Sequence, residues 1–471
     1  MGQEIDTSKF TSEDFACFMA HLESETALLE QMFAQSKFSS KEPVGGFEVE
    51  AWLVDGEGRA DPCNDSFLQK LNDPLVVPEL ASFNFELNIA PGKLQHDVLS
   101  RMEEGLTSTW KHCQTTAAAI NRQIVMAGIL PSVTEEQLTL TNMTRSNRYQ
   151  ALNEQVFRLR NGLPINLHIV GRETLKTQHF DVMLEAGTTS FQIHLQTPFN
   201  QAAAAFNKAL LYSAPMVAVS ANSPFLFGNM LWEETRIPLF EQAVECGELA
   251  HRRVTFGDDY IHESLMECFR DNICSYPVLV PFAANEAPEK LAHLRFHNGT
   301  IWRWNRPLIG FDDDGSQHVR LEHRVVPSGP SIADSIANAA LSWGLMYSED
   351  PDHANLLEKF PFATVRQNFY ACARDGFNAR VDWPNSALTD IRELLLNLLL
   401  PKAALGLEKL GIVAEDSKRY LGIIRQRVES GQNGAQWQRS WAEVNGRNMP
   451  ALTLEYLQRQ NSGLPVGQWR I

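Results

Sequence analysis

Apolar side chains recur at helical spacing over residues 12–36, where Phe15, Phe18, Met19, Leu22, Leu28, Leu29 and Met32 predict an amphipathic helix packed on something larger. After the polar run 39–43 the period changes to short alternating stretches broken by Gly, Asn, Asp and Pro, so a sheet should begin there. Four stretches alternate with period two, which puts one set of side chains on each face of a strand: 47–52, 83–88, 191–196 and 319–325. Their polar faces hold Glu48, Glu50 and Trp52; Asn84, Glu86 and Asn88; Gln192, His194 and Gln196; and Arg320, Glu322 and Arg324. Helices are predicted over 98–127, where few breakers occur, and over 200–218, which is rich in alanine. From about Asn385 the strand pattern is lost, and 391–400, 417–429 and 436–442 read as helices.

The 471 residues suffice for one large catalytic domain with helical additions, or for two to three ordinary domains. An acidic excess of 57 against 41 basic residues, with no basic block, argues against a phosphate-backbone or membrane-surface partner. Seven scattered cysteines, none at Cys-x-x-Cys spacing, indicate neither a disulfide framework nor a zinc site. The first ten residues carry Glu4 and Asp6 and lack the basic and apolar regions of a signal peptide. The greasy stretch 394–400, interrupted by Asn397 and stopped at Pro401, is too short for a membrane span, so a cytoplasmic protein is expected.

Phosphate-binding glycine loops of the common kinds, His-Glu-x-x-His and Gly-x-Ser-x-Gly are all missing, which leaves carboxylates, one histidine and arginines on strands. Should the four polar faces share one sheet, the glutamates would crowd beside His194 and call for cations. Oxygen donors in that number suit magnesium or manganese better than zinc. Neighbouring arginines suit an anion such as phosphate or carboxylate, and metal, phosphate and arginine together describe phosphoryl transfer. Each piece has a plainer reading. Glu-x-Glu alone is an ordinary solvated strand face, and Arg320, Glu322 and Arg324 alone form a charge ladder.

The ordered motifs change that balance. Gly46-Phe47-Glu48-Val49-Glu50, Phe85-Glu86-Leu87-Asn88-Ile89-Ala90-Pro91, Arg148-Tyr149-Gln150-Ala151-Leu152, the 188–194 strand, Ala221-Asn222-Ser223-Pro224-Phe225 followed by Arg236, and Arg320-Leu321-Glu322-His323-Arg324 resemble, in order, signatures of the glutamate-cysteine ligase families. The matches span Gly46 to Arg324. The resemblance implies an α+β, glutamine-synthetase-like fold: a curved antiparallel sheet whose concave face is the active site, with helices outside. Residues 1–40 would form an N-terminal helical segment, 41–380 the catalytic domain and 381–471 a C-terminal helical subdomain.

The resemblance further implies an ATP-dependent carboxylate-amine ligase acting through an acyl phosphate, most simply joining glutamate to cysteine. Alternatives are another amine, a phosphotransferase, or a nucleotide-binding protein without turnover, on the same fold. By carry-over Glu48, Glu50, Glu86, His194 and Glu322 are ligands to Mg2+ or Mn2+, and Arg236 and Arg324 stabilise the transferring phosphate or the substrate carboxylate. Arg306 is a further catalytic candidate, while Arg148, Arg295 and Arg303 join Arg324 as candidates for ATP binding. The Arg- and Trp-rich run 297–307 is either a ligand wall or a packed aromatic hairpin. Two departures fall where acceptor recognition would lie: Val325-Val326-Pro327 follows the Glu-x-Arg pair, and Leu195-Gln196-Thr197 ends the His194 strand.

Overall fold

A computed structural model describes residues 4–247, 251–349, 357–384 and 388–471. The expected helical onset at Asn385 lies outside these residues. The strands are β1 (Val44–Val54), β2 (Val76–Pro78), β3 (Asn84–Asn88), β4 (Gly92–Lys93) and β5 (Gln123–Val125), the hairpin β6 (Ile165–Val170) and β7 (Thr174–His179), and β8 (Phe191–Gln196). Short pieces β9 (Phe225–Leu226), β10 (Asn229–Met230), β11 (Val254–Thr255) and β12 (Trp302–Arg303) precede β13 (Asn305–Phe311) and β14 (Gln317–His323). The main sheet is antiparallel and curled, in the order β13-β14-β8-β1-β3-β2, with β4 and β5 paired to the ends of β1.

All four alternating stretches therefore belong to one sheet. Register places Glu50 opposite Glu86, Glu48 opposite Gln192, and His194 opposite both Gly46 and Glu322. Side chains of one parity, including Phe47, Val49, Phe85, Leu87, Ile193 and Leu321, are buried against helices behind the sheet. The other parity faces a cleft. Trp52 shares that parity but is fully buried, stacked on Phe83, with its indole N–H donating to the Ala127 carbonyl and the Thr189 hydroxyl.

The helices behind the sheet are Ala202–Ser220 and Ile332–Tyr347. Among the described residues, Phe199–Ser220 is the one helix long and apolar enough to cross a membrane by length and composition, and its apolar character reflects burial within the fold. Trp343 fastens the second helix to the sheet by donating from its indole to the His194 carbonyl at 3.2 Å. A side chain at Gly45 would meet the Trp343 ring and Leu94 within 2.6 Å, so the helix comes this close only because position 45 is glycine.

Helices Leu400–Lys409 and Ala414–Ser430 pack on the outer side of Ile332–Tyr347. Gly406 sits against the Gly344 carbonyl, where a Cβ would lie 1.8 Å from the oxygen. The fully buried Arg427 bonds Asp334 at 2.7 Å. Asn222, from the Ala-Asn-Ser-Pro-Phe motif, donates to the Ser328 carbonyl and the Tyr456 hydroxyl, so that motif ties the C-terminal helices to the back of the site.

Several expected boundaries move. The helix predicted over 98–127 ends at Ala118; Asn121 takes a left-handed φ of 56°, which asparagine tolerates, and 123–125 turns back as β5. Pro401 does not end its helix, because a π turn over Leu395–Leu399 precedes it and the helix resumes through Lys409. Strands β15 (Arg380–Val381) and β16 (Thr389–Asp390) interrupt the helical C-terminal pattern, and a further helix, Met449–Asn461, follows those expected.

Candidate active site

The cleft holds about 550 Å³, within the range of small-molecule sites. Its floor is the polar face of β3, β1, β8 and β14, and helices Met266–Ser275 and Ala292–Gly299 supply Phe269, Arg295 and Asn298 to its wall.

Two clusters of ligating atoms stand on this floor. Glu48, His194 and Glu322 form one, with donor atoms all within 4.8 Å of one another. His194 Nε2 lies 3.3 Å from Glu48 and 3.9 Å from Glu322 and is buried, with no hydrogen bond among the described residues. Glu50, Glu79 and Glu86 form the second, with the same spacing. The sequence-predicted ligands are thus brought together, divided between two groups.

The electrostatics of the groups differ. Burial pushes Glu322 upward, but Arg306, Arg324 and His194 outweigh it and hold the carboxyl well below the usual range. Burial likewise raises Glu48, and the nearby charge of His194 leaves it below its ordinary value. Glu86 is driven well above 4.5 by burial and by the charges of Glu48, Glu79 and Glu50. Glu50 is raised to about 7, first by burial and then by Glu79. Three crowded carboxylates whose burial and mutual repulsion outweigh the pull of Arg148 on Glu79 and of Arg324 on Glu50, beside a histidine nitrogen without a hydrogen bond among the described residues, fit hard divalent cations.

Glu50 is held by the Ser190 amide at 2.6 Å, the Ser190 hydroxyl at 2.9 Å and Gln192 at 3.0 Å. Arg306 grips Glu322 as a two-pronged fork at 2.8 and 3.1 Å. That makes Arg306 a clamp on the Glu322 carboxylate. Arg324 bonds Glu322 at 3.0 Å and also Gln192. It lines both the cleft and the recess behind it, so it bridges the two clusters. Arg148 and Arg295 line the cleft, the latter over Phe311 at 5.2 Å.

Two expectations need correction. Arg303 turns away from the cleft and bonds Asp271 and Asn272, because its neighbour Trp302 takes the cleft-facing parity of β12. The run 297–307 is accordingly split: Trp302 and Arg306 line the cleft, while the buried Trp304 packs on Phe240. Arg236 is buried in the scaffold, tied to Glu234 at 3.1 Å and to the carbonyls of Arg324 and Val325, and reaches only the inner recess.

Residues 44–456 match glutamate-cysteine ligase family 2. The chain belongs to that family. Its fold is similar to that of a glutamate-cysteine ligase from Francisella tularensis in complex with AMP, at a TM-score of 0.55 and 11% identity over 90% of each chain. It is also similar to a bifunctional glutathione synthetase from Pasteurella multocida, with a TM-score of 0.54 and 11% identity, covering 93% of this chain and 55% of that one. No curated protein matches it by sequence. Membership of the glutamate-cysteine ligase family makes this chain an ATP-dependent carboxylate-amine ligase.

In this family member sequence reasoning missed Glu79 and Glu185. Glu79 follows the three-residue strand β2 and pairs no alternating partner, so nothing in its local pattern marks it. Glu185 sits in the short helical turn Glu185–Gly187 before β8, and its only signal is an acid within an otherwise small and apolar run.

The raised carboxyls set a pH dependence. Glu50 at about 7, Glu185 at about 8 and Glu86 bind protons more readily folded than unfolded, so their contribution is present below about pH 4.5 and is lost as pH rises through the folded values. Glu48 and Glu322 shift the other way and titrate below that window. Metal-free protein is expected to lose several degrees of Tm between about pH 5 and about pH 8, and Mg2+ is expected to flatten the profile. Thermal unfolding in chelator and in Mg2+ across that range checks this.

Proposed function

We propose that the protein couples ATP cleavage to formation of a γ-glutamyl amide, with glutamate as the carboxylate and cysteine as the simplest amine. The observation that supports it most is the pair of ligand clusters on one concave face, bridged by Arg324. Glu48, His194 and Glu322 would hold one Mg2+, and Glu50, Glu79 and Glu86 another. Bound there, Mg2+ offsets the triphosphate charge and polarises the phosphoryl group.

The chain's own residues position the rest. Arg324 stands beside both clusters and offers a guanidinium to the transferring phosphoryl group or the carboxylate it joins. Arg306 fixes Glu322, and Ser190 and Gln192 fix Glu50. Transfer of the γ-phosphoryl group to a carboxylate oxygen leaves ADP and an acyl phosphate. The amine nitrogen then attacks the carbonyl carbon, loses a proton, and phosphate departs with that carboxylate oxygen.

An amine other than cysteine is the second reading. It is favoured by the fully buried Val325 and Val326 after Arg324, and by Gln196, which is engaged with Asp312. ADP release measured across a panel of carboxylic acids and amines, with mass spectrometry of the product, tests both. Turnover requiring glutamate and cysteine together, with a γ-glutamyl product, is expected. A different required amine selects the second reading, and ADP release with a carboxylate alone, yielding a stable phosphorylated product, would overturn both.

A further inference from the structure

Behind the Glu50, Glu79 and Glu86 cluster the cleft continues into a small polar recess with about 30 Å³ of free space, enough for a group the size of one or two water molecules. Cleft and recess share Glu50, Glu79, Glu185 and Arg324. The charges around the recess do not balance. Arg236 is committed to Glu234 and to backbone carbonyls, while Arg324 bonds Glu322 and Gln192 through one nitrogen and, with Arg148, pulls on Glu185 without outweighing its burial and its acidic neighbours. Glu50 and Glu79 belong to the metal cluster, whereas Glu185 belongs to neither cluster. Its Oε2 is buried and makes no hydrogen bond among the described residues.

A second side chain points to the same conclusion independently. Asn84 is 2% exposed, lines the recess, and leaves both its side-chain oxygen and its nitrogen without a hydrogen bond among the described residues. Leaving both ends of a buried amide unpartnered is unfavourable unless something else meets them. The nearby hydroxyls are already occupied, since Thr189 donates to the Ala127 carbonyl and Ser190 to Glu50. A small hydrogen-bond donor with a positive charge meets the Glu185 Oε2 and the Asn84 side-chain oxygen together.

We propose that this recess binds a primary ammonium group of a substrate, with Glu185 as its charge partner and the Asn84 side-chain oxygen as an additional acceptor. The rest of the substrate extends into the cleft, so its reacting group reaches the metal clusters. The inference rests on the ligase reading for the identity of the substrate as an amino acid or amine. The ammonium pocket itself can be tested without turnover.

The test is equilibrium binding by thermal shift and calorimetry, with Mg2+ and a non-hydrolysable ATP analogue present. L-glutamate, L-cysteine and ethylamine are each compared with their N-acetyl forms. At least one free amine is expected to stabilise the wild type, its N-acetyl form to fail, and Glu185→Gln to weaken that binding at least about tenfold while keeping the stabilisation by Mg2+ and nucleotide. Equal binding of the N-acetyl forms, unchanged binding in Glu185→Gln, or no binding by any probe would overturn the proposal. Loss of the Mg2+-nucleotide shift in Glu185→Gln would also overturn it, by assigning the carboxylate to metal. If that variant does not fold, the wild-type comparison and Asn84→Ala, expected to weaken the same amine, decide the matter. Absence of amide product with amine discrimination intact counts against the proposed reaction alone.

Discussion

Glu86→Gln is expected to lower ATP-dependent turnover by about 10³-fold, roughly 4 kcal/mol of transition-state stabilisation, and at the same time to raise the Tm of the metal-free protein by a few degrees. The two effects have one cause. Glu86 is half-buried beside Glu48, Glu79 and Glu50, and its neutral form is favoured when no cation is bound. An amide of the same shape relieves that repulsion and removes a ligand. Its Asn88 partner, 3.0 Å from the carboxyl, can turn to meet the amide, so packing changes little. Steady-state ADP release and thermal unfolding in chelator measure the two halves. A variant that loses activity and also loses metal-free stability would show that Glu86 holds the fold and does not serve a cation site.

Arg324→Lys is expected to lower turnover by about 10³-fold while retaining the thermal shift given by Mg-ATP. Lysine keeps a positive charge near Glu322. It cannot at once reach Glu322, Gln192 and the recess, as the guanidinium does. Nucleotide binding and single-turnover phosphoryl transfer separate the outcomes: binding should persist and transfer should fail. Wild-type transfer rates in this variant would remove Arg324 from the reaction.

What the sequence could and could not disclose follows from the spacing of the side chains. Glu48, Glu50, Glu86, His194 and Glu322 were legible because each sits on a strand long enough to alternate, and the alternation survives in the structure as the floor of one cleft. Their division into two clusters was not legible, since it depends on the register between β3, β1, β8 and β14. Glu79 and Glu185 lie on a strand end and a single helical turn, where no period exists to mark them. Arg303 was misplaced for a related reason. In a two-residue strand either neighbour can face the ligand, and packing against Asp271 and Asn272 decided for Trp302. The over-extended 98–127 helix shows how one left-handed asparagine ends a segment whose composition gives little warning. The Ala-Asn-Ser-Pro-Phe motif identified the family well, yet its asparagine works behind the site, joining Ser328 to Tyr456.

The recess behind the metal cluster adds a distinction within the acidic residues. Glu50, Glu79 and Glu86 crowd together as metal ligands do, while Glu185 stands apart with an unpartnered oxygen beside an unpartnered amide. Acid count alone would treat them as equivalent. Geometry separates three carboxylates close enough to share one cation from one outside that spacing.

The central claim is that the cleft activates a carboxylate by phosphorylating it. Glutamate labelled with oxygen-18 in its γ-carboxyl, incubated with the protein, Mg-ATP and the required amine, tests this most directly. One labelled oxygen is expected in the inorganic phosphate for each amide formed. Amide formation with unlabelled phosphate would contradict it.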